Sequence, residues 1–358
     1  MKKSFDISIV KRVVNTDNGF NISIMRYTRE RIDALWHEGK IRSWKKYRVF
    51  CNKLIAFLEQ SPEFGIKFPV RKISVQFVSR FESYLRTSEN RIDKTRILHN
   101  NTVVVNIQVL KTLVNRAIKI DGLLPANYNP FLGYSVKRCA SSRERLTLEE
   151  IDAIRALQLE EDSIPWNARN MFLFSFYCAG IRVGDLLQLK WENVHNRQRL
   201  VYCMDKNQKR RDILLVPGAL EILQLYKRDD AAPSEYIFPF LKNGSPYSAS
   251  KLGTGTLNPD AKLQLVNKIC ECTRRLNKGL SEVARSAGIQ KHITMHISRH
   301  SFAGLARDMG VDSAHIQSIL AHSSLRTTEI YMGSFNTDES DRVLIGMFDR
   351  SANPKAGR

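Results

Sequence analysis

The chain has 358 residues, a length that suggests about two domains, each large enough to bury a core of its own. Hydrophobic residues make up 43% of the chain, with 17 Phe and 4 Trp, and this composition excludes a disordered polar chain. The longest apolar stretch, residues 171–181, is well short of the ~20 residues that cross a bilayer. The N-terminus carries no hydrophobic signal core, so we expect a soluble, cytoplasmic protein.

Basic residues outnumber acidic residues by 56 to 36, which gives a formal net charge of +20. The excess is uneven, because residues 1–138 hold 26 Lys and Arg against 11 Asp and Glu. Such a charge indicates an anionic partner, and nucleic acid is the leading candidate. The alternative is a generic basic surface that keeps the protein soluble. The uneven distribution favours nucleic-acid binding, concentrated in the N-terminal part.

The N-terminal part predicts a small helical bundle. Residues 1–34 have no firm assignment beyond a short β-like run at residues 21–24, and we interpret them as an arm. Farther along, apolar residues recur at spacings of three and four, which is the pattern of amphipathic helices. The pattern covers residues 29–38 weakly and then residues 43–58, 74–85, with Ser74 as N-cap, and 102–118. We therefore expect an all-α domain at residues 35–135.

A polar linker at residues 136–146 precedes a second domain at residues 147–350, and residues 351–358 form a tail. The second domain begins with a capping box, Thr147-x-x-Glu150. Two β-like runs, residues 200–204 and 212–216, flank a polar turn at residues 205–211, which predicts a hairpin with cations at its tip. Helical patterns cover residues 147–159, 167–179, 185–189, 217–227, 259–287, 298–309, 312–321 and 338–348. The expected fold class is mostly α with a small antiparallel β hairpin or sheet.

Candidate site residues occur in a fixed order along the second domain. Arg182 stands in the motif G-I-R-V-G-D-L at residues 180–186, and the hairpin turn carries Lys206. The later members are His296, Arg299 three residues on, His322 in an L-A-H motif, and Tyr331 nine residues after it. This set resembles the tyrosine site-specific recombinase family, of the phage-integrase type. Residues 168–177 and 331–335 most resemble the integrases and invertases of Bacteroides-type genomes.

These residue types suit phosphodiester exchange. Arg182 and Arg299 can each present a planar fork to phosphate oxygens, which a lysine cannot do. Tyr331 is a weak nucleophile by itself and becomes competent beside such cations and an accepting imidazole. His296 precedes Arg299 by one helical turn, so both can reach one phosphate. Each of these residue types, taken alone, more often has a structural role than a catalytic one. Their combined order and spacing favour an active site.

The resemblance implies a helical, SAM-like core-binding domain followed by a mixed α/β catalytic domain. It implies that Tyr331 forms a covalent 3′-phosphotyrosyl link to DNA, that His296 acts as general acid/base or phosphate donor, and that His322 hydrogen-bonds a non-bridging oxygen. Lys206 is the expected general acid for the leaving 5′-hydroxyl, with Lys209 as the alternative. Asp185 is expected to orient Arg182.

The resemblance further implies double-stranded DNA as partner, a homotetramer on two DNA sites, an accessory DNA-bending protein as a possible partner, and a location at the nucleoid. No cofactor is expected, since the sequence has no G-x-x-x-x-G-K-[ST] loop. No metal is expected either, because acidic clusters are absent and Cys270 and Cys272 lack the usual zinc spacing. Two alternatives stay open: a type IB topoisomerase-like enzyme that relaxes DNA, and a non-catalytic architectural DNA-binding protein.

Overall fold

The computed structural model describes residues 21–89, 95, 97–139, 144–196, 198–249 and 257–321. The chain divides into two compact units, Met1–Ser141 and Ser142–Arg358. Each unit has an extensive apolar core of its own.

The described part of the first unit is helical. Its elements are α1 (Ile24–His37), α2 (Ile41–Glu59), a 3₁₀ turn (Val70–Lys72), α3 (Val75–Thr87) and α4 (Asn100–Lys119). Ser74 caps α3 as predicted, because its hydroxyl accepts a hydrogen bond from the backbone N–H of Phe77. Aromatic rings fill the core: Phe57 lies 5.6 Å from Phe77 and 5.2 Å from Phe81, measured between ring centroids.

The β-like run at residues 21–24 contains an isolated antiparallel bridge between Ser23 and Pro69, and a helix, α1, begins at Ile24. Ser23 is the N-cap of α1, since its hydroxyl accepts a hydrogen bond from the backbone N–H of Arg26 at 3.2 Å. Ile24 and Met25 are buried in the core of the first unit. An alternation over four residues is too short to distinguish a strand from the start of a helix. The expected arm at residues 1–34 therefore overlaps α1, and residues 1–20 lie outside the described residues.

The second unit begins with the predicted capping box. The backbone N–H of Glu150 donates to Oγ1 of Thr147 at 3.3 Å, and the backbone N–H of Thr147 donates to Oε2 of Glu150 at 2.8 Å. The first helices of this unit are α5 (Leu148–Ala156), α6 (Ile164–Tyr177) and the short α7 (Val183–Leu186). Ser163 caps α6, which therefore begins earlier than the apolar pattern at residues 167–179 predicts.

A three-stranded antiparallel sheet follows α7. Its strands are β1 (Val194–His195), β2 (Arg199–Cys203) and β3 (Arg210–Leu214), in the order β1-β2-β3, after a 3₁₀ turn at Trp191–Asn193. Strands β2 and β3 form the predicted hairpin, in which Tyr202 pairs with Arg211. The sheet confirms the expected fold class, and β1 is a third strand that the sequence pattern did not indicate.

Four more helices complete the described part of the second unit: α8 (Pro217–Tyr226), α9 (Pro259–Ser286), α10 (Ile297–Asp308) and α11 (Ser313–Leu320). Helix α9 approaches α6 so closely that a Cβ on Gly279 would lie 2.9 Å from the carbonyl oxygen of Ile164. The predicted helix at residues 338–348 lies outside the described residues. Within the described ranges, none of the helices has the length and apolar character needed to cross a membrane.

Candidate active site

Arg182 follows a tight reversal of the chain after α6. Gly180 has a φ of 67° there, and its backbone N–H donates to the carbonyl of Ser175 at 2.7 Å. The hydroxyl of Ser175 donates to the carbonyl of Ile181 at 2.8 Å. These bonds fix the backbone just before Arg182. Arg182 itself is the N-cap of α7. The partly buried Arg182 side chain donates from Nη1 to Sδ of Met204 at 3.1 Å.

Arg299 lies on α10 and is only 1% exposed. Its Nη1 donates to the carbonyl of Gly180 at 2.7 Å, and its Nη2 donates to the carbonyl of Leu320, at the end of α11, at 2.5 Å. A Cβ on Gly180 would lie 2.7 Å from Cγ of Arg299, so no side chain fits there without a shift. One guanidinium thus joins the reversal before Arg182 to the end of α11.

His296 is the N-cap residue of α10 and is exposed, in contrast to Arg299. Its ring meets the ring of the buried His300 nearly at a right angle, with 4.9 Å between centroids. Between His296 and Arg299, the hydroxyl oxygen of Ser298 lies 2.7 Å from that of Ser175. The start of α10 is therefore tied to the same reversal that precedes Arg182.

Lys206 lies in the turn between β2 and β3, and its two neighbours tie this turn to other elements. The backbone N–H of Asp205 donates to Oδ1 of Asp185 at 3.1 Å. Nδ2 of Asn207 donates to the carbonyl of Ala321 at 3.2 Å. The side chain of Lys206 is exposed. Lys206 is therefore an exposed cation on a turn that is held from both sides.

Asp185 is 3% exposed, and its described hydrogen bond goes to this turn. The sequence interpretation, in which Asp185 orients Arg182, did not include this contact. The two residues are also linked along the chain, since the backbone N–H of Asp185 donates to the carbonyl of Arg182 at 2.9 Å. Asp185 thus connects α7, which starts after Arg182, with the turn that carries Lys206.

The sequence prediction places Arg211 among the cations at the tip of the hairpin, and this is wrong. Arg211 lies in β3 and is only 5% exposed. Burial lowers the pKa of its guanidinium below the usual range. Strand alternation could have predicted the burial of Arg211. Leu200, Tyr202 and Met204 are all buried, and the residue paired with Tyr202 faces the same side as Tyr202.

The structure describes four of the six predicted site residues, Arg182, Lys206, His296 and Arg299. His322 and Tyr331 lie outside the described residues. The contacts of Arg182, of the Lys206 turn and of Arg299 form one connected network around α7, β2, α10 and α11. In the part of the chain that the structure describes, no group of three or more His, Cys, Asp or Glu side chains is placed to hold a metal ion.

Comparison with known proteins shows the family of the chain. Residues 144–337 match the phage integrase family, and residues 23–153 match the phage integrase SAM-like domain. The chain belongs to the phage integrase family. The predicted relationship to the tyrosine recombinases is thereby confirmed, as is the predicted function in site-specific DNA recombination. Neither the topoisomerase-like nor the architectural alternative is favoured.

Two relatives illustrate membership in the family. Tyrosine recombinase XerC of Syntrophus aciditrophicus (strain SB) is 30% identical over 211 residues, which cover 59% of this chain and 61% of XerC. Tyrosine recombinase XerD of Vibrio vulnificus (strain YJ016) is 23% identical over 316 residues, which cover 87% of this chain and 92% of XerD. The alignment with XerD therefore spans both units of this chain.

Solved structures share the fold at lower identity. The Tn1549 transposon integrase in complex with a circular intermediate DNA has a TM-score of 0.58 and 14% identity, over 91% of this chain and 99% of that chain. A lambda integrase dimer bound to a COC′ core site has a TM-score of 0.56 and 16% identity, over 88% of this chain and 98% of that chain. These similarities agree with a SAM-like domain followed by a mixed α/β catalytic domain.

Proposed function

We propose that this protein cleaves and rejoins double-stranded DNA at specific sites through a covalent 3′-phosphotyrosyl intermediate formed by Tyr331. One observation carries the proposal: the buried guanidinium of Arg299 bonds both the carbonyl of Gly180 and the carbonyl of Leu320. This contact brings the segment that carries Arg182 beside the segment that leads to His322. A phosphate bound there would meet the cations from both segments.

The two arginines would hold the scissile phosphate. Nη1 and Nη2 of Arg299 bond the two carbonyls, which fixes its planar guanidinium, and such a fork is a preferred group for phosphate oxygens. Arg182 is partly buried, and its described hydrogen bond is to a thioether sulfur, which is a weak acceptor. A phosphate oxygen is a much stronger acceptor, so a bound phosphate would displace this contact readily.

Lys206 is our choice for the general acid that protonates the leaving 5′ oxygen. Both Lys206 and Lys209 are exposed in or next to the turn, so exposure does not separate them. The neighbours of Lys206 are tethered, Asp205 to Asp185 and Asn207 to Ala321. Lys209 is held as well, because its carbonyl accepts a hydrogen bond from the backbone N–H of Met204 at 2.9 Å. We choose Lys206 because it follows the β-like run at residues 200–204 directly, where the resemblance places the proton-donating lysine.

The two histidines would complete the site. His296 is exposed one helical turn before Arg299, where its imidazole can donate to or accept from the phosphate or the tyrosine hydroxyl. His322 directly follows Ala321, the residue whose carbonyl accepts from Asn207. We assign it a hydrogen bond to a non-bridging phosphate oxygen, and we assign Tyr331 the nucleophilic attack on phosphorus.

Double-stranded DNA is the proposed partner of both units. The first 138 residues hold 26 of the basic residues, and the described surface of α2 presents Arg42 and Lys46 to solvent. Such cations bind phosphates and make affinity depend on salt. We assign DNA core binding to residues 35–135 together with the rest of α1, and catalysis to residues 147–350. Residues 136–146 would link them, and residues 351–358 would form the tail.

Assembly and setting are parts of the same proposal. We propose a homotetramer on two DNA sites, with an accessory DNA-bending protein as a further partner, acting at the nucleoid in the cytoplasm. The reaction would serve integration, excision or inversion of a mobile element. The resemblance of residues 168–177 to the Bacteroides-type integrases and invertases supports such a role. No cofactor or metal takes part in the proposed steps.

The experiment is a cleavage assay on nicked duplexes drawn from the genomic neighbourhood of the gene, in the presence of EDTA and without ATP. A strand that loses a short fragment after cleavage cannot be rejoined, so a covalent protein–DNA adduct accumulates on a denaturing gel. We expect the adduct with the wild-type protein and none with Tyr331→Phe, at equal DNA binding. An equal adduct in both would disprove the assignment of the nucleophile.

A further inference from the structure

The side chain of Asn207 joins the turn between β2 and β3 to the end of α11. Among residues 206–210 it alone is partly buried, and the other four residues are exposed. Its Nδ2 donates to the carbonyl of Ala321 at 3.2 Å, and its Oδ1 accepts from the backbone N–H of Lys209 at 3.4 Å. The carbonyl requires a donor and the N–H requires an acceptor, so an amide fits this place and a carboxylate does not.

The acceptor of this bond is itself held in place. Ala321 ends α11 in the left-handed conformation, with a φ of 49°, which is unfavourable for a residue that carries a Cβ. Such a conformation persists only where the surroundings hold it. Arg299 donates from Nη2 to the carbonyl of Leu320 at 2.5 Å, and Asn207 donates to the next carbonyl along the chain. The turn is therefore anchored to a segment that the buried guanidinium of Arg299 also bonds.

Lys206 lies between two contacts that tie the turn to other elements. On one side, the backbone N–H of Asp205 donates to Oδ1 of Asp185 at 3.1 Å. On the other side, Asn207 donates to α11. The side chain of Lys206 is exposed, so its position depends on the backbone of the turn. A general acid must come within hydrogen-bond distance of the leaving oxygen, and loss of the Asn207 bond would let this side of the turn move away from α11.

We propose that Asn207 is a positioning residue for DNA cleavage: its amide fixes the turn against the end of α11, so that the ammonium group of Lys206 meets the leaving 5′ oxygen. In this role Asn207 needs no contact with the DNA. It acts through the general acid, so its loss impairs proton transfer and leaves the hold of the arginines on the phosphate intact. This inference rests on the proposed function, since it concerns the same leaving group.

The test uses two nicked duplexes that differ in one atom. One has an ordinary scissile phosphate, and the other has sulfur at the bridging 5′ position, so that it releases a thiolate that needs no proton. We expect Asn207→Ala to form the adduct about tenfold more slowly on the ordinary duplex, because it loses part of the roughly 100-fold or greater benefit of a positioned general acid. It should cleave the sulfur-containing duplex at nearly the wild-type rate. A general loss of structure would slow the cleavage of both duplexes alike.

Asn207→Asp is the isosteric variant, and Gln208→Glu is its matched control. A carboxylate at position 207 keeps an acceptor for the backbone N–H of Lys209 but has no donor for the carbonyl of Ala321, so the same selective defect is expected. Gln208→Glu adds the same charge at the next residue, which is exposed. The amide of Gln208 donates within the turn, to the carbonyl of Asp205 at 3.1 Å, so this change leaves the bond to α11 intact. The control should cleave both duplexes at the wild-type rate.

A double variant shows whether Asn207 acts through Lys206. In Lys206→Ala the general acid is already absent, so the addition of Asn207→Ala should cost no further rate. Independent effects of the two residues would instead multiply, because their free energies would add. All rates are measured with the DNA saturated by protein and below the thermal midpoint of every variant.

Three results would overturn the inference while the proposed function stands. The first is a wild-type rate of Asn207→Ala on the ordinary duplex, the second is an equal defect on both duplexes, and the third is a multiplied defect in the double variant. If Asn207→Ala does not fold, the same comparisons are made with Asn207→Asp. A wild-type protein that forms no adduct would instead refute the proposed function, and a defect of Lys206→Ala that sulfur does not relieve would refute the assignment of the general acid.

Discussion

Gly180 and Arg299 are in direct contact, and the contact is both a hydrogen bond and a steric limit. The carbonyl of Gly180 accepts from Nη1 of Arg299 at 2.7 Å, and a Cβ on Gly180 would lie 2.8 Å from Cα of Arg299. The φ of Gly180, 67°, is itself unfavourable for other residues. Residues more than a hundred positions apart in the sequence thus depend on each other for the geometry of the phosphate site.

We therefore expect Gly180→Ala to slow DNA cleavage by more than the accompanying loss of folding stability accounts for. The methyl group pushes against Arg299, and a displacement of about 1 Å in a catalytic group costs roughly 100-fold in rate. The measurement is the rate of adduct formation together with the thermal midpoint. Gly288→Ala is the control, because Gly288 has a φ of 69° and no atom within 4 Å of an added Cβ. It should lower stability by about 1 kcal/mol and leave the cleavage rate of the folded protein unchanged.

Charge-preserving substitutions test the role of the arginines. Arg299→Lys cannot bond the carbonyls of Gly180 and Leu320 and still offer a planar fork to phosphate. Arg182→Lys likewise loses bidentate recognition. We expect each to slow cleavage by about 100-fold or more, the usual cost of one donor to a transition-state oxyanion. DNA binding, measured by gel shift, should stay near the wild-type level. Undiminished cleavage in either variant would contradict the proposed phosphate clamp.

Lys206 and Lys209 can be separated by the chemistry of the leaving group. A 5′-bridging phosphorothiolate releases a thiolate, which needs no proton from the enzyme. Lys206→Ala should cleave an ordinary duplex slowly and the phosphorothiolate duplex at close to the wild-type rate. Lys209→Ala should show the smaller defect and no such rescue. The opposite pattern would transfer the role of general acid to Lys209.

Salt dependence tests the basic surface of the first unit. Lys46 lies on the exposed side of α2, and Lys46→Gln removes one cation from this surface. We expect weaker binding to specific and nonspecific duplexes alike. The slope of log K against log salt should become shallower by about one, as for loss of one phosphate contact. An unchanged slope would place Lys46 away from the DNA.

Local sequence signals predicted the elements that depend on neighbouring residues. The capping residue Ser74 and the capping box of Thr147 and Glu150 were predicted where the structure has them, because caps bond only within one helical turn. The β-like run at residues 21–24 corresponds to an isolated bridge at Ser23, after which α1 begins at Ile24. Its apolar residues are explained by packing in the core of the first unit, which no four-residue pattern contains.

The contacts of the candidate site required the structure. Spacing pointed to Arg182, Lys206 and Arg299, but it contained no sign that Asn207 reaches Ala321 or that Asp205 reaches Asp185. These contacts join residues far apart in sequence, so only the folded chain defines them. The assignment of Arg211 to the hairpin tip failed because charge was weighed above strand alternation.

The most direct test of the account is to identify the residue that carries the DNA. The adduct from the nicked duplex would be digested with nuclease and trypsin, and the modified peptide sequenced by mass spectrometry. We predict one modified peptide, in which the 3′-phosphate of the DNA is attached to Tyr331. Attachment to any other residue, or an adduct of equal yield with Tyr331→Phe, would contradict the central claim that Tyr331 is the nucleophile.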